Sequence, residues 1–146
     1  MPIDLAFVRD HAVNTHLALE AHGGRDWTHA HHGFPGGTSV TNPLEFAKGG
    51  RPPARWFTPI DIGSPQLSPR YRWGVRAMRI GSLIAGVPLP GPTLATFDDP
   101  SPVVRWMADE LARGRTPHLW GYASTAVLIC QAAMEAGVDI SGARFT

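Results

Sequence analysis

The 146-residue chain holds one cysteine, Cys130, and one lysine, Lys48. A lone cysteine excludes an internal disulfide. Cys130 falls inside an apolar helical pattern, which assigns it to the interior as a small hydrophobe in a reducing compartment. No run of about 18 uncharged apolar residues occurs, which excludes a membrane-spanning helix, and the first residues lack the basic-then-apolar order of a secretory signal. The expectation is a soluble, cytoplasmic protein. Charge of one sign is lacking as well, since 13 basic residues face 12 acidic ones for a net +1. That balance gives no electrostatic reason to expect nucleic acid or an anionic membrane as a partner.

A hydrophobic content of 43% is enough for one domain with a buried core. The segment "PIDLAFVRDHAVNTHLALEAHGG" predicts a helix over 5–22, with Asp4 as N-cap and Gly23 as the glycine beyond its end. Leu5, Val8, Ala12 and Leu19, with Phe7 and Ala18 beside them, share one stripe. Residues 23–54 carry many Gly, Pro, His and Thr and no sustained period, which predicts a long loop with at most a short helix at 43–47. "ARWFTPIDI" suits a strand, with Pro59 placing it at an edge or a bend.

The second half alternates. Ser68-Pro69 opens a helix over 69–85 that ends at Gly86 and Pro88, and "PTLATFDD" reads as a short strand. Ser101-Pro102 opens the next helix, with Val103, Met107 and Leu111 as its stripe and Gly114 as its stop. "PHLWGY" is a strand candidate, and "STAVLICQAAMEAG" is a helix with Ser124 as N-cap and Gly137 beyond its end. Asp139 to Gly142 form a turn, and Ala143 to Thr146 begin a strand. Helix and strand in alternation predict an α/β fold with a mostly parallel sheet and covering helices, because a parallel return needs a crossover that a helix supplies.

Each chemical motif has a plainer structural account. His29, His31 and His32 in "HAHHG", with His11, His16 and His22 upstream, could ligate a metal, but a polar loop of this kind carries solvated histidines. "GFPGGTS", Gly33 to Ser39, lacks a hydrophobic strand before it and a Gly-Lys-Ser/Thr ending, so it reads as a surface loop and not a phosphate loop. Arg72, Arg76 and Arg79 recur at helical spacing beside Tyr71 and Trp73, and form a solvated face. Ser124 has no nucleophile elbow around it, and Asp98 and Asp99 suit the positive end of a helix. No catalytic residue emerges from these patterns.

The order of elements from "RWFTPIDI" to "SGARFT" resembles the large N-terminal domain of adenylate-forming enzymes, the acyl-CoA synthetase and ligase superfamily, in its phenylacetate–CoA ligase-like branch. The residues that carry the resemblance are "RWFTPIDI", the helix closing on "SLIAGVPLPGP", the helix "DDPSPVVRWMADELARG", and above all "LWGYASTAVLICQAAMEAGVDISGARF". The resemblance implies a partial N-terminal AMP-binding domain over 1–146, with the phosphate loop upstream of Met1 and the adenine-binding turn and lid domain downstream. It implies a parent enzyme that activates a small carboxylic acid with ATP and Mg²⁺ and passes the acyl group to coenzyme A. The remainder of the parent chain would then be this segment's partner, and the segment alone would be inactive.

Ligands of open α/β sheets sit at the carboxyl ends of strands. By that rule and the resemblance, Pro59, Ile60 and Asp61 after one strand and Tyr122, Ala123 and Ser124 after another are the substrate-binding candidates. A reading of a different class is a small standalone α/β binding module with "HAHHGFPGG" as its ligand or metal site. The two differ in what they expose, because a partial domain leaves apolar patches where neighbouring elements belong.

Overall fold

A computed structural model describes residues 5–34, 52–84 and 86–146. Helix α1 spans Leu5–Ala21 and a 3₁₀ turn spans Gly24–Asp26. The chain continues as β1 (Trp27–His32), β2 (Arg55–Thr58), α2 (Pro69–Ile84), β3 (Pro92–Leu94), α3 (Ser101–Ala112), β4 (Thr116–Trp120), α4 (Ala123–Glu135) and β5 (Arg144–Phe145). The five strands form one sheet in the order β3-β2-β1-β4-β5, and every pairing is parallel. The α/β class and the alternation over the second half are as the sequence predicts.

Helix ends follow the glycines. Gly23, Gly86, Gly114 and Gly137, the four assigned to helix stops, are the residues with positive φ among those described, at 76°, 74°, 72° and 65°. Only glycine adopts that geometry without steric cost, so these stops are written in the chain. Helix starts are less faithful. Asp4 and the helix expected at 43–47 lie outside the described residues. Ser101 and Ser124 are not caps: each falls inside the first turn, and the capping positions are Pro100 and Tyr122. The backbone at Tyr122 is extended and its carbonyl accepts the N–H groups of Thr125 and Ala126, which starts the helix two residues before Ser124. At α3 the Asp99 carboxylate accepts the Ser101 N–H at 3.2 Å; the Ser101 hydroxyl first and this N–H second hold its pKa below the usual carboxylate range.

The main correction concerns 23–54. Residues 27–32 form not a loop but β1, the central strand of the sheet, paired with β2 on one side and β4 on the other. His29, His31 and His32 are buried, each 3% exposed, not solvated. A histidine-rich strand is polar in composition, so its burial depends on partners elsewhere in the sheet, which no local window reveals. Of the edge or bend expected at Pro59 it is the bend that is found: Pro59 follows the last residue of β2, which is an interior strand.

Alternation along the strands divides their side chains between two faces. One face is aliphatic: Ala30, Phe57, Ala95 and Leu119 pack in a single cluster with Val103, Val104, Trp106 and Met107 of α3 and Ile129 and Ala133 of α4. Val103 and Met107, two of the predicted stripe, are fully buried. The opposite face carries Trp27, His29 and His31 of β1, Trp56 and Thr58 of β2, and His118 and Trp120 of β4. At the lower end of that face Gly24 is crowded, because a Cβ there would lie 2.8 Å from the Leu19 carbonyl oxygen and 2.9 Å from the Trp27 ring.

Cys130 is exposed, contrary to the interior position its apolar context suggests. Helix α4 turns Thr125, Ile129 and Ala133 inward. Cys130 sits on the outer side with Val127 and Met134, which are 57% and 74% exposed. The helix is apolar on both sides, so its pattern cannot say which side is covered. Helix α2 is similar: Val75 and Ser82 are buried, while Trp73, Ile80, Leu83 and Ile84 are exposed.

Candidate functional site

In a parallel sheet all carboxyl ends lie along one edge. Here the chain progresses from β1 outward to β2 and β3, then returns across the sheet to β4 and β5. The direction of progress reverses between β1 and β4, and in doubly wound sheets the ligand crevice forms at such a switch point. The residues at this place are His32 and Gly33 at the end of β1 and Gly121 and Tyr122 at the end of β4. The two strands adjoin there: a Cβ on Gly121 would lie 3.4 Å from the His32 carbonyl oxygen, at van der Waals contact.

His32 shapes this crevice from within. Its Nε2 lies 3.0 Å from the carbonyl oxygen of Ala95, and because a carbonyl only accepts, Nε2 carries the hydrogen. Burial pushes the imidazole pKa down, against the opposing effect of the Ala95 bond, so the ring is neutral at physiological pH and Nδ1 is an acceptor. That Nδ1 is buried and has no hydrogen-bond partner. Two partly exposed rings flank it: Phe97, with a centroid 6.1 Å from that of His32, and Phe34, 6.5 Å from Phe97. A second buried, unpartnered polar atom, Thr125 Oγ1, lies in the first turn of α4. An unsatisfied buried polar group costs about 1–3 kcal/mol, which marks both atoms as groups that gain from a bound partner.

Tyr122, Ala123 and Ser124 are all exposed at the start of α4. Tyr122 and Ala123 line a cleft of about 370 Å³ together with Leu119, Gly121, Ala126 and Phe145. Ser124 is outside that lining. Helix N-termini present unspent N–H groups to such a cleft, and the aromatic and aliphatic walls suit a flat apolar group. Pro59 and Ile60 are half-buried and Asp61 is exposed. The Ile60 N–H points to Thr58 Oγ1 at 3.3 Å, and the Asp61 carboxylate accepts the Gly63 N–H at 2.8 Å. Those bonds make a tight turn that already occupies the carboxylate.

The two predicted triplets therefore share one edge of the sheet but not one cleft. Strands β2 and β4 lie on either side of β1, so the triplets begin roughly 10 Å apart at the usual strand spacing. Gly121 and Thr125, on either side of the second triplet, were missed by sequence reasoning, whereas His32 was named there as part of the "HAHHG" cluster but read as a solvated loop residue. The signal that could have found them is a short polar run, "WTHAHHG", ending in glycine in the same way that "PHLWG" does. The argument against a phosphate loop at 33–39 also changes, because a buried strand does precede Gly33, and Gly33 itself is buried. Residues 35–39 lie outside those described, and the stretch has no Gly-Lys-Ser/Thr ending.

Among the described residues, no group of three or more His, Cys, Asp or Glu side chains is placed to hold a metal ion. No described helix is long and apolar enough to cross a membrane. A larger groove, about 750 Å³, lies between the end of α1 and the β4–β5 side of the sheet, lined by Leu19, His22, Trp27, Trp120, Arg144 and Phe145 among others. It runs along the sheet face from Trp27 at the start of β1 to Trp120 and Thr146 at the carboxyl ends of β4 and β5. Comparison with protein-family models, with curated proteins and with solved structures finds no match.

Proposed function

We propose that this chain is part of the N-terminal domain of a cytoplasmic adenylate-forming ligase, an ATP- and Mg²⁺-dependent enzyme that joins a small carboxylic acid to coenzyme A. The observation that carries the reading is the state of β5. This edge strand has an open cleft on one side and the large groove on the other, and Phe145 and Thr146 line both. Exposed Trp73, Ile80, Leu83 and Ile84 on α2 and Val127 and Met134 on α4 add apolar surface of the kind that marks an interaction face. Both fit a sheet and helices that are covered by further elements of a parent enzyme.

In this reading the described residues supply walls and orientation. Tyr122, Ala123 and Phe145 border a flat group at the carboxyl edge, and Gly121 lets the backbone approach. The neutral His32 offers an acceptor and Thr125 a hydroxyl. Pro59 and Ile60, with the Asp61 turn, border the acyl side. In this reading binding of the phosphates and of Mg²⁺ is assigned to the remainder of the parent chain. Positioning of the carboxylate against the nucleotide is the contribution assigned to this segment.

The test is acid-dependent ATP–pyrophosphate exchange. The longer reading frame that contains these 146 residues is expected to catalyse exchange, and the 146-residue chain alone is expected to be silent and to bind a hydrophobic dye. Exchange by the short chain, or a monodisperse, dye-silent and cooperatively unfolding short chain, would overturn the reading in favour of a standalone module.

A further inference from the structure

The carboxyl-edge site leaves a second set of buried polar groups unused. His29 of β1 and His118 of β4 are register partners on the sheet face opposite the aliphatic cluster. Their Nδ1 atoms lie 2.8 Å apart, and their rings meet edge to face with centroids 5.0 Å apart. His118 is completely buried, with the Trp27 ring 5.2 Å away. The other ring nitrogen of His118 lies 2.7 Å from Thr146 Oγ1. A chain of hydrogen bonds thus runs from the central strand through β4 to the residue that follows β5.

The chemistry of this chain is narrow. A neutral imidazole has one donor and one acceptor nitrogen, whereas an imidazolium has two donors. One hydrogen can lie between the two Nδ1 atoms, and full protonation of both rings would set two N–H groups against each other in a buried site. On this face His31 follows His29 by two residues along β1, Arg144 of β5 is the register partner of His118, and His22 of the chain after α1 lines the groove beside Trp27 and Thr146. Strand β2 presents Trp56 and Thr58 on this face, and the carboxylates of Asp10 and Glu20 on α1 are exposed. Burial and the neighbouring His29 oppose the entry of a proton at His118.

We propose that His29, His118 and Thr146 form an acid-released latch that holds the edge strand β5 on the sheet at neutral pH and frees it on acidification. The inference does not rest on the ligase reading. Burial first, and the neighbouring His29 second, lower the His118 pKa to about 3. The sign follows: a histidine whose native pKa is depressed stabilises the closed form above its unfolded value and loses that stabilisation as pH falls toward the native value. With an unfolded value near 6.5, the open form gains about 30-fold in population between pH 8 and pH 5.

Amide hydrogen exchange reads the latch directly. The Gly121 N–H is bound to the Thr146 carbonyl at 2.8 Å and the Thr146 N–H to the Leu119 carbonyl at 3.1 Å. After correction for intrinsic exchange rates, opening at these two amides should rise about 30-fold from pH 8 to pH 5 in the 146-residue chain. His118→Gln keeps a donor and an acceptor without titrating, and should reduce that rise to less than about threefold. Thr146→Val should open Gly121 already at pH 8 while leaving the pH dependence of global stability in place. Imidazole ¹⁵N shifts of the unaltered chain supply a check that needs no folded variant: His118 should stay neutral down to pH 5 in the closed form. A charged His118 at pH 6, or equal pH dependence in the unaltered chain and His118→Gln, would overturn the proposal.

Discussion

The two faces of the sheet are buried to a similar depth by opposite means. Toward α3 and α4, Ala30, Phe57, Ala95 and Leu119 meet an aliphatic wall in which Met107 and Ile129 have no exposed surface. On the other face His29, His31 and His118 are as thoroughly enclosed, beside Trp56 and Thr58. The first face is held mainly by shape and loss of water contact, with His32 and Thr125 as its buried polar groups near the carboxyl edge. The second adds hydrogen bonds such as the His29–His118 contact, so its stability depends on protonation as well as on packing. Equal burial thus conceals two different sensitivities.

Truncation on the aliphatic face should have the largest effect. Met107→Ala or Ile129→Ala each leaves a cavity at a fully buried position, and should cost about 2–5 kcal/mol in denaturant unfolding. Acid should then separate the faces. Lowering the pH from 8 to 5 should remove about 2 kcal/mol through the depressed His118, with the loss beginning near the unfolded value of about 6.5. His118→Gln should flatten that profile, whereas Met107→Ala should shift it down without changing its slope.

The comparison also explains what the sequence discloses. The aliphatic face was legible because Val103, Met107 and Leu111 recur at helical spacing, and because α3 and α4 are bounded by glycines that leave no choice of backbone. The histidine face was not legible, since β1 is polar by composition and its burial depends on His118, in a strand 89 residues away. The same reasoning applies to the candidate site. A general rule about strand ends located Pro59 to Asp61 and Tyr122 to Ser124, but His32 and Thr125 could be recognised only once β1 was known to be a strand. Cys130 fails for a different reason, because α4 is apolar on both sides.

Glycines give two smaller and opposed tests. Gly24→Ala would push a methyl group into the Leu19 carbonyl and the Trp27 ring, and should destabilise by about 1–3 kcal/mol, at the lower end of the histidine face. Gly74→Ala, on the exposed side of α2 with nothing within 4 Å of the new Cβ, should stabilise by about 0.5–1 kcal/mol through helix propensity. Thermal melts of the two variants should move in opposite directions. If Gly24→Ala left the melt unchanged, the tight approach of α1 to the start of β1 would be wrong.

The central place of β1 has a consequence for how the protein comes into being. Its partner strand β4 is made only after about ninety further residues, and at 5–20 residues per second roughly 4–18 s separate synthesis of His29 from that of His118. Through that interval one flank of the middle strand has no native neighbour, and its histidines remain wet and free to take up protons. As the chain emerges the sheet can therefore grow from its centre on one flank only, toward β2 and β3, and the other flank must wait for β4 and β5.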